Sequence, residues 1–154
     1  MITDRIRKDL TQSLKNKQDL RVSTLRMMLA GIVNKEKEKG EAISEEAAVK
    51  VFFSMIKQRE DAAKQFGDAG RDDSARKEKE EITIIRDYLP PQLGEDEIRA
   101  AVKEVIAEVG AHDLKGMGAV MGVLSKKLSG KASGGDMSRI VKEELAKGQD
   151  PPRQ

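Results

Sequence analysis

The chain contains no cysteine and no tryptophan. Without cysteine there is no disulfide and no thiolate metal site, which suits a reducing compartment. Aromatic residues are confined to Phe52, Phe53, Phe66 and Tyr88. Single-strand nucleic-acid binders stack bases on exposed aromatics. That mode is disfavoured here, so any nucleic-acid contact relies on backbone charge and shape. No apolar run reaches the roughly 18 residues of a membrane span, and the start, MITDRIRKDL, has no apolar stretch of signal length. The expectation is a cytoplasmic protein with no membrane partner. Large charge excess is also missing: 29 basic and 27 acidic residues give a net charge of +2. A DNA-coating protein is strongly basic, so DNA is not expected.

What is present is charge and helical periodicity. Charged residues make up 36% of the 154 residues and apolar ones 38%. This balance suits solvated helices better than a thick core. No segment alternates with period two long enough to predict a strand, and no internal repeat is evident. Thr3 is the expected N-cap of a first helix to Lys17, with Ile2, Ile6, Leu10 and Leu14 as its apolar stripe. Asp19 is expected to cap a second helix to Lys39. Its face is Val22, Leu25, Leu29, Ile32 and Val33, with Met28 at the margin, and Gly40 is its stop. Ser44 starts a third helix to about Phe66, and a fourth runs from Asp72 to Tyr88. Leu89-Pro90-Pro91 is the clearest boundary, because Pro91 lacks a donor and the residue before each proline is driven out of the helical region. Three shorter helices follow, at about 95–109, 116–128 and 135–147. The fold expected is all-α: an N-terminal antiparallel bundle of four helices (1–90), a C-terminal three-helix domain (91–148) and a loose tail (149–154).

Catalytic and metal motifs are sparse. His112 is the sole histidine, and neither a nucleophile elbow nor a reactive cysteine accompanies it, so it reads as an exposed loop residue. The pairs Glu80–Glu81 and Glu143–Glu144 occupy adjacent helical positions, whose side chains diverge. No metal-ligand spacing is recognisable. GMGAVMG lacks the preceding strand of a dinucleotide loop, and GKAS lacks the upstream glycine of a phosphate loop. No catalytic residue, metal or cofactor is assigned.

One stretch could meet an anion. Between Lys115 and Arg139 lie Lys115, Lys126, Lys127, Lys131 and Arg139, opposed by Asp136 alone among the acids. Such a block is either a solvated face or a phosphate-contacting surface. Gly116 and Gly118 open the sixth helix, where free N–H groups carry partial positive charge and glycine admits a phosphate backbone. The competing reading is that Gly116, Gly118 and Gly122 let helices pack closely. In the first half, Arg21, Arg26, Asn34, Lys57, Gln58, Arg59 and Asp61 interleave with apolar positions. A structural hydrogen-bond network is the favoured reading for them, and a second RNA-facing patch the weaker one.

Four stretches carry a resemblance: RVSTLRMMLAGIVNKE at Arg21–Glu36, KQREDAAKQFGDAGR at Lys57–Arg71, IIRDYLPPQL at Ile84–Leu93 and MGAVMGVLSKKLSGKASG at Met117–Gly134. In order, spacing and length the chain resembles the GatB/YqeY family, specifically its stand-alone YqeY-like members. The resemblance implies a helical bundle followed by a small domain like the tail of the B subunit of glutamine-dependent tRNA amidotransferases. That tail is an accessory tRNA-binding element, and similar domains are appended to some glutaminyl-tRNA synthetases. The resemblance therefore implies a tRNA-binding accessory protein of tRNA-dependent amidation or aminoacylation. Lys126, Lys127, Lys131 and Arg139 would contact phosphates, and Lys115, Gly116 and Gly118 would present a helix N-terminus. The family commonly has MGKVM where this chain has Ala119. The carbon–nitrogen ligase activity with glutamine as amido donor, attached to the family, reads as inherited from larger relatives that carry kinase-like and amidase parts. The alternative is a protein-interaction adaptor for an amidotransferase or an aminoacyl-tRNA synthetase.

Overall fold

The computed structural model describes residues 1–148. The expected loose tail, 149–154, lies outside the described residues. Among the described residues there are seven α-helices and no strand: α1 (Ile2–Lys15), α2 (Asp19–Lys39), α3 (Glu45–Asp68), α4 (Asp72–Arg86), α5 (Glu95–Val109), α6 (Met117–Lys127) and α7 (Gly134–Lys147). A one-turn 3-10 helix, Leu114–Gly116, leads into α6. The chain divides into two compact units, Met1–Leu89 and Pro90–Gln154.

Local chemistry explains most of the boundaries. Ser44 accepts a hydrogen bond from the Ala47 N–H at 3.1 Å and starts α3. Gly40 ends α2 at φ 72°, a left-handed conformation that glycine adopts without steric cost, and its N–H reaches Glu36 O at 2.8 Å. At the start of α5 the Glu97 carboxylate accepts the Gly94 N–H at 3.0 Å. Ser133 accepts the Asp136 N–H at 3.1 Å and opens α7. Two expected caps fail. Thr3 lies inside α1, and the Ile2 N–H is instead met by the Glu45 carboxylate from α3 at 3.0 Å. Asp19 is the first helical residue of α2, because Lys17 takes a positive φ of 54° and Gln18 becomes the N-cap. Helix α4 ends at Arg86, two residues before the expected Tyr88.

In the first unit α3 packs along α4 and α1 along α2, and α2 also touches α3 and α4. The core is Ile6, Leu25, Met28, Ile32, Phe52, Ile56, Ile82, Ile85 and Tyr88 with their half-buried neighbours. Helix α2 turns further than its pattern suggests. Met28 is fully buried while Val33 is 41% exposed, because Leu25, Met28 and Ile32 define the buried line. Leu14 is likewise 49% exposed and leaves the stripe of α1. In the second unit α5, α6 and α7 all touch one another. Their core is aliphatic apart from Met137: Ile98, Val102, Val105, Val120, Leu124, Ile140, Val141 and Leu145 are its main members.

Two polar networks hold the first unit. Arg59 of α3 and Glu81 of α4 form an ion pair at 2.9 Å with side chains only 10% and 8% exposed. The guanidinium also donates to Met55 O at 3.0 Å and to the Met27 sulfur at 3.4 Å. At the end of the unit the Tyr88 hydroxyl donates to the Asp9 carboxylate and accepts from Arg21 at 3.3 Å, while Arg5 lies over the ring at 4.7 Å. Burial, then the bond to Asp9, pushes the phenol up to about 12, which keeps it a donor. Of the interleaved polar residues, Arg21 and Arg59 thus belong to structural networks. Arg26, Asn34, Lys57, Gln58 and Asp61 are exposed.

Candidate nucleic-acid interface

The anion-facing stretch folds as the 3-10 turn, α6, a short turn and the start of α7. The entry to α6 is built around Asp113. Its carboxylate accepts the Lys115 N–H at 3.0 Å and its carbonyl accepts the Gly116 N–H at 3.0 Å. The Met117 N–H bonds to Leu114 O. Lys115 and Gly116, two of the three residues expected to present a helix N-terminus, therefore already have acceptors for their amides, and an aspartate stands beside them. What this end offers an anion is the exposed Lys115 ammonium, not a bare helix N-terminus.

The glycines separate into two kinds. A Cβ on Gly116 would stand 2.6 Å from the Ala111 Cβ, so glycine here lets two chain segments meet. Gly116→Ala is expected to destabilise the C-terminal unit by about 1–3 kcal/mol through overpacking, measurable as a lower midpoint in chemical denaturation followed by circular dichroism. A Cβ on Gly118 or Gly122 would meet nothing within 4 Å. Close packing inside the chain does not explain those two.

Helical geometry puts the free face together. Within α6, Ala119 and Lys126 are seven residues apart, two turns and close to one line on its surface, and Lys115 stands in the 3-10 turn just before the helix. Ala119 and Gly122 lie on that line and Gly118 beside it, all exposed. Neither lysine makes an ion pair among the described residues, and the same holds for exposed Lys131 in the turn that follows. The result is a strip of small residues with, at each end, a cation that makes no ion pair among the described residues.

The other two expected phosphate contacts are engaged. Lys127 reaches Glu108 at 2.9 Å and Glu104 at 4.0 Å on α5. The bond to Glu108 holds its ammonium above the ordinary lysine range. Arg139 meets Glu95 at 2.9 Å, Glu143 at 3.2 Å and Asp136 at 3.9 Å. Both side chains remain exposed, so the pairs are weak and salt-sensitive, but each cation faces a carboxylate before it faces a phosphate.

Arg139 belongs to a larger network that sequence reading missed. Arg99 reaches Glu95 at 3.2 Å, Glu143 at 2.8 Å and Glu144 at 2.6 Å, joining α5 to α7. The neighbours Glu143 and Glu144 were expected to diverge, yet one forked guanidinium meets both. A signal existed: Glu95–Arg99 and Arg139–Glu143 are each spaced i,i+4. Hydrogen bonds from Arg139, Arg99 and Lys147 respectively lower Glu95, Glu143 and Glu144 below the usual 4.5. A depressed carboxyl contributes stability that is complete above its unfolded value and is lost as pH falls through the folded one. The C-terminal unit should therefore lose melting temperature below about pH 4.5. Thermal melts from about pH 7 to about pH 3 test this, and Arg99→Gln should flatten the dependence.

His112 is exposed in the loop before the 3-10 turn. No group of three or more His, Cys, Asp or Glu residues among those described is placed to hold a metal ion, and no described helix is long and apolar enough to cross a membrane.

A family model described as Yqey-like protein matches residues 3–145. Three relatives carry the name Altered inheritance of mitochondria protein 41, mitochondrial. The one from Lachancea thermotolerans is 36% identical over 107 residues, 68% of this chain and 57% of its own length. That from Clavispora lusitaniae is 34% identical over 107 residues, 68% of this chain and 62% of its own length. That from Vanderwaltozyma polyspora is 32% identical over 107 residues, 68% and 58%. The match thus spans about three fifths of the length of these relatives. Their names overturn the expectation of a cytoplasmic protein: all three are called mitochondrial, and lack of a signal-length apolar run does not identify the cytosol. With the match running through all seven helices to Leu145, this chain belongs to the YqeY-like family.

Proposed function

We propose that the chain is a tRNA-binding accessory protein of tRNA-dependent amidation or aminoacylation, with no catalytic centre of its own. The observation that carries this is the free face of α6. Gly118 and Gly122 lie open, with Lys115 and Lys126 at either end of the strip and Lys131 just beyond. Small residues let a phosphate backbone approach, and the lysines neutralise it. A surface of this kind reads shape and charge, since the second unit contains no Phe, Tyr or Trp on which a base could stack. Phosphate contacts are assigned to Lys115, Lys126 and Lys131. Lys127 and Arg139 join only if they leave their carboxylates. Gly116 serves the fold and Gly118 the approach. The reading includes an antiparallel course of four helices in the first unit and three in the second, which the short loops between consecutive helices favour.

The test is a salt titration of binding to bulk tRNA, with duplex RNA of equal length as control. Preference for tRNA, with affinity falling steeply as salt rises, is the expected result. Equal binding to both, or none, removes the proposal.

A further inference from the structure

The N-terminal unit carries a groove that RNA binding by the second unit does not use. Helices α2 and α3 pack closely at Gly31, where an added Cβ would stand 3.1 Å from Val51 Cγ1 and 3.6 Å from Met55 Sδ. Next to it a groove of about 530 Å³ is lined by Lys35 and Lys39 of α2 and by residues from Ser44 to Gln58. Its floor is apolar: Ala47, Val51 and Met55, half-buried on the flank of the core. Its rim is basic: Lys35 and Lys39 on α2 face Lys50 on α3, and Glu46 is the one acid among the lining residues. Among the described residues Lys35 pairs with exposed Glu38 alone, at 3.0 Å and within its own helix, whereas Lys127 is held by two carboxylates of a neighbouring helix.

From this juxtaposition we propose that the α2–α3 groove docks an acidic amphipathic helix of a protein partner. The lined stretch of α3, Ser44 to Gln58, is about 20 Å long, which matches a peptide helix of about four turns. Its apolar side chains, spaced i, i+4 and i+7, would lie on Ala47, Val51 and Met55, and flanking Asp or Glu would meet the three lysines. An RNA backbone would use the lysines but not the apolar floor, and no aromatic lines the groove to stack a base. The chemistry therefore favours a peptide. The proposal stands apart from RNA binding by the second unit, and either can fail without the other.

The experiment selects from a displayed library of 18-residue helical peptides on the full chain, then measures the most enriched peptide by fluorescence anisotropy. Enriched peptides should be acidic, with apolar residues along one face. Lys35→Glu, Lys39→Glu and Lys50→Glu together should weaken binding at least tenfold. An equal charge change elsewhere on the unit, at exposed Lys8, Lys64 and Lys77, should have little effect. Amide NMR shifts on titration should fall on residues 31–58. Enriched peptides that are neutral or basic overturn the proposal, as does equal sensitivity to both triple variants. Displacement of the peptide by duplex RNA overturns it too, and assigns the surface to nucleic acid.

Discussion

Replacing Glu81 alone by leucine is expected to lower the unfolding free energy of the N-terminal unit by about 3–5 kcal/mol. Arg59 would keep its bonds to Met55 O and the Met27 sulfur, but its charge would stay buried between α3 and α4 with no counter-ion. An uncompensated buried charge costs several times what an exposed ion pair contributes. The double variant Arg59→Met with Glu81→Leu should recover most of the loss, because apolar side chains of similar volume often replace a buried pair without net cost. Tyr88 supplies a local readout. It is the only tyrosine in a chain without tryptophan, and it sits in the core of this unit. Its fluorescence during denaturation thus reports on the N-terminal unit, while circular dichroism reports on both. A single and a double variant equally destabilised would show that the pair contributes more than charge compensation.

Replacing Lys115, Lys126 and Lys131 together by alanine should weaken tRNA binding at least about tenfold and reduce the salt slope by about three, roughly one for each phosphate no longer neutralised. Lys127→Ala should do much less, since Lys127 is already bridged to Glu108. The opposite change is as informative. Ala119 is exposed on the face of α6 that carries Lys126, so Ala119→Lys adds a cation to the strip. It should tighten binding and steepen the salt slope by about one. If Lys127→Ala matched the triple variant, the α5–α6 side of the unit, and not the free face of α6, would be the interface.

The sequence by itself determined the helices and most of their ends, because these depend on neighbours within about four residues. Ser44, Gly40 and the Pro90–Pro91 pair act on their own backbone, and apolar spacing marks the buried face of α5 or α7 without reference to any other element. A distant group at a helix end is one thing sequence reading missed: the Ile2 N–H is met by Glu45 of α3, and Thr3 lies inside the helix. The tertiary structure alone decided which side chains are free. Lysines 126 and 127 are adjacent and chemically identical in sequence, yet only Lys127 points at α5, where Glu108 and Glu104 take it. Gly116 and Gly118 look alike within one motif, yet Ala111 crowds the first and nothing approaches the second. A residue type states what an atom can bind. Which atom remains unbound depends on how the helices lie against one another, and a local pattern does not contain that geometry.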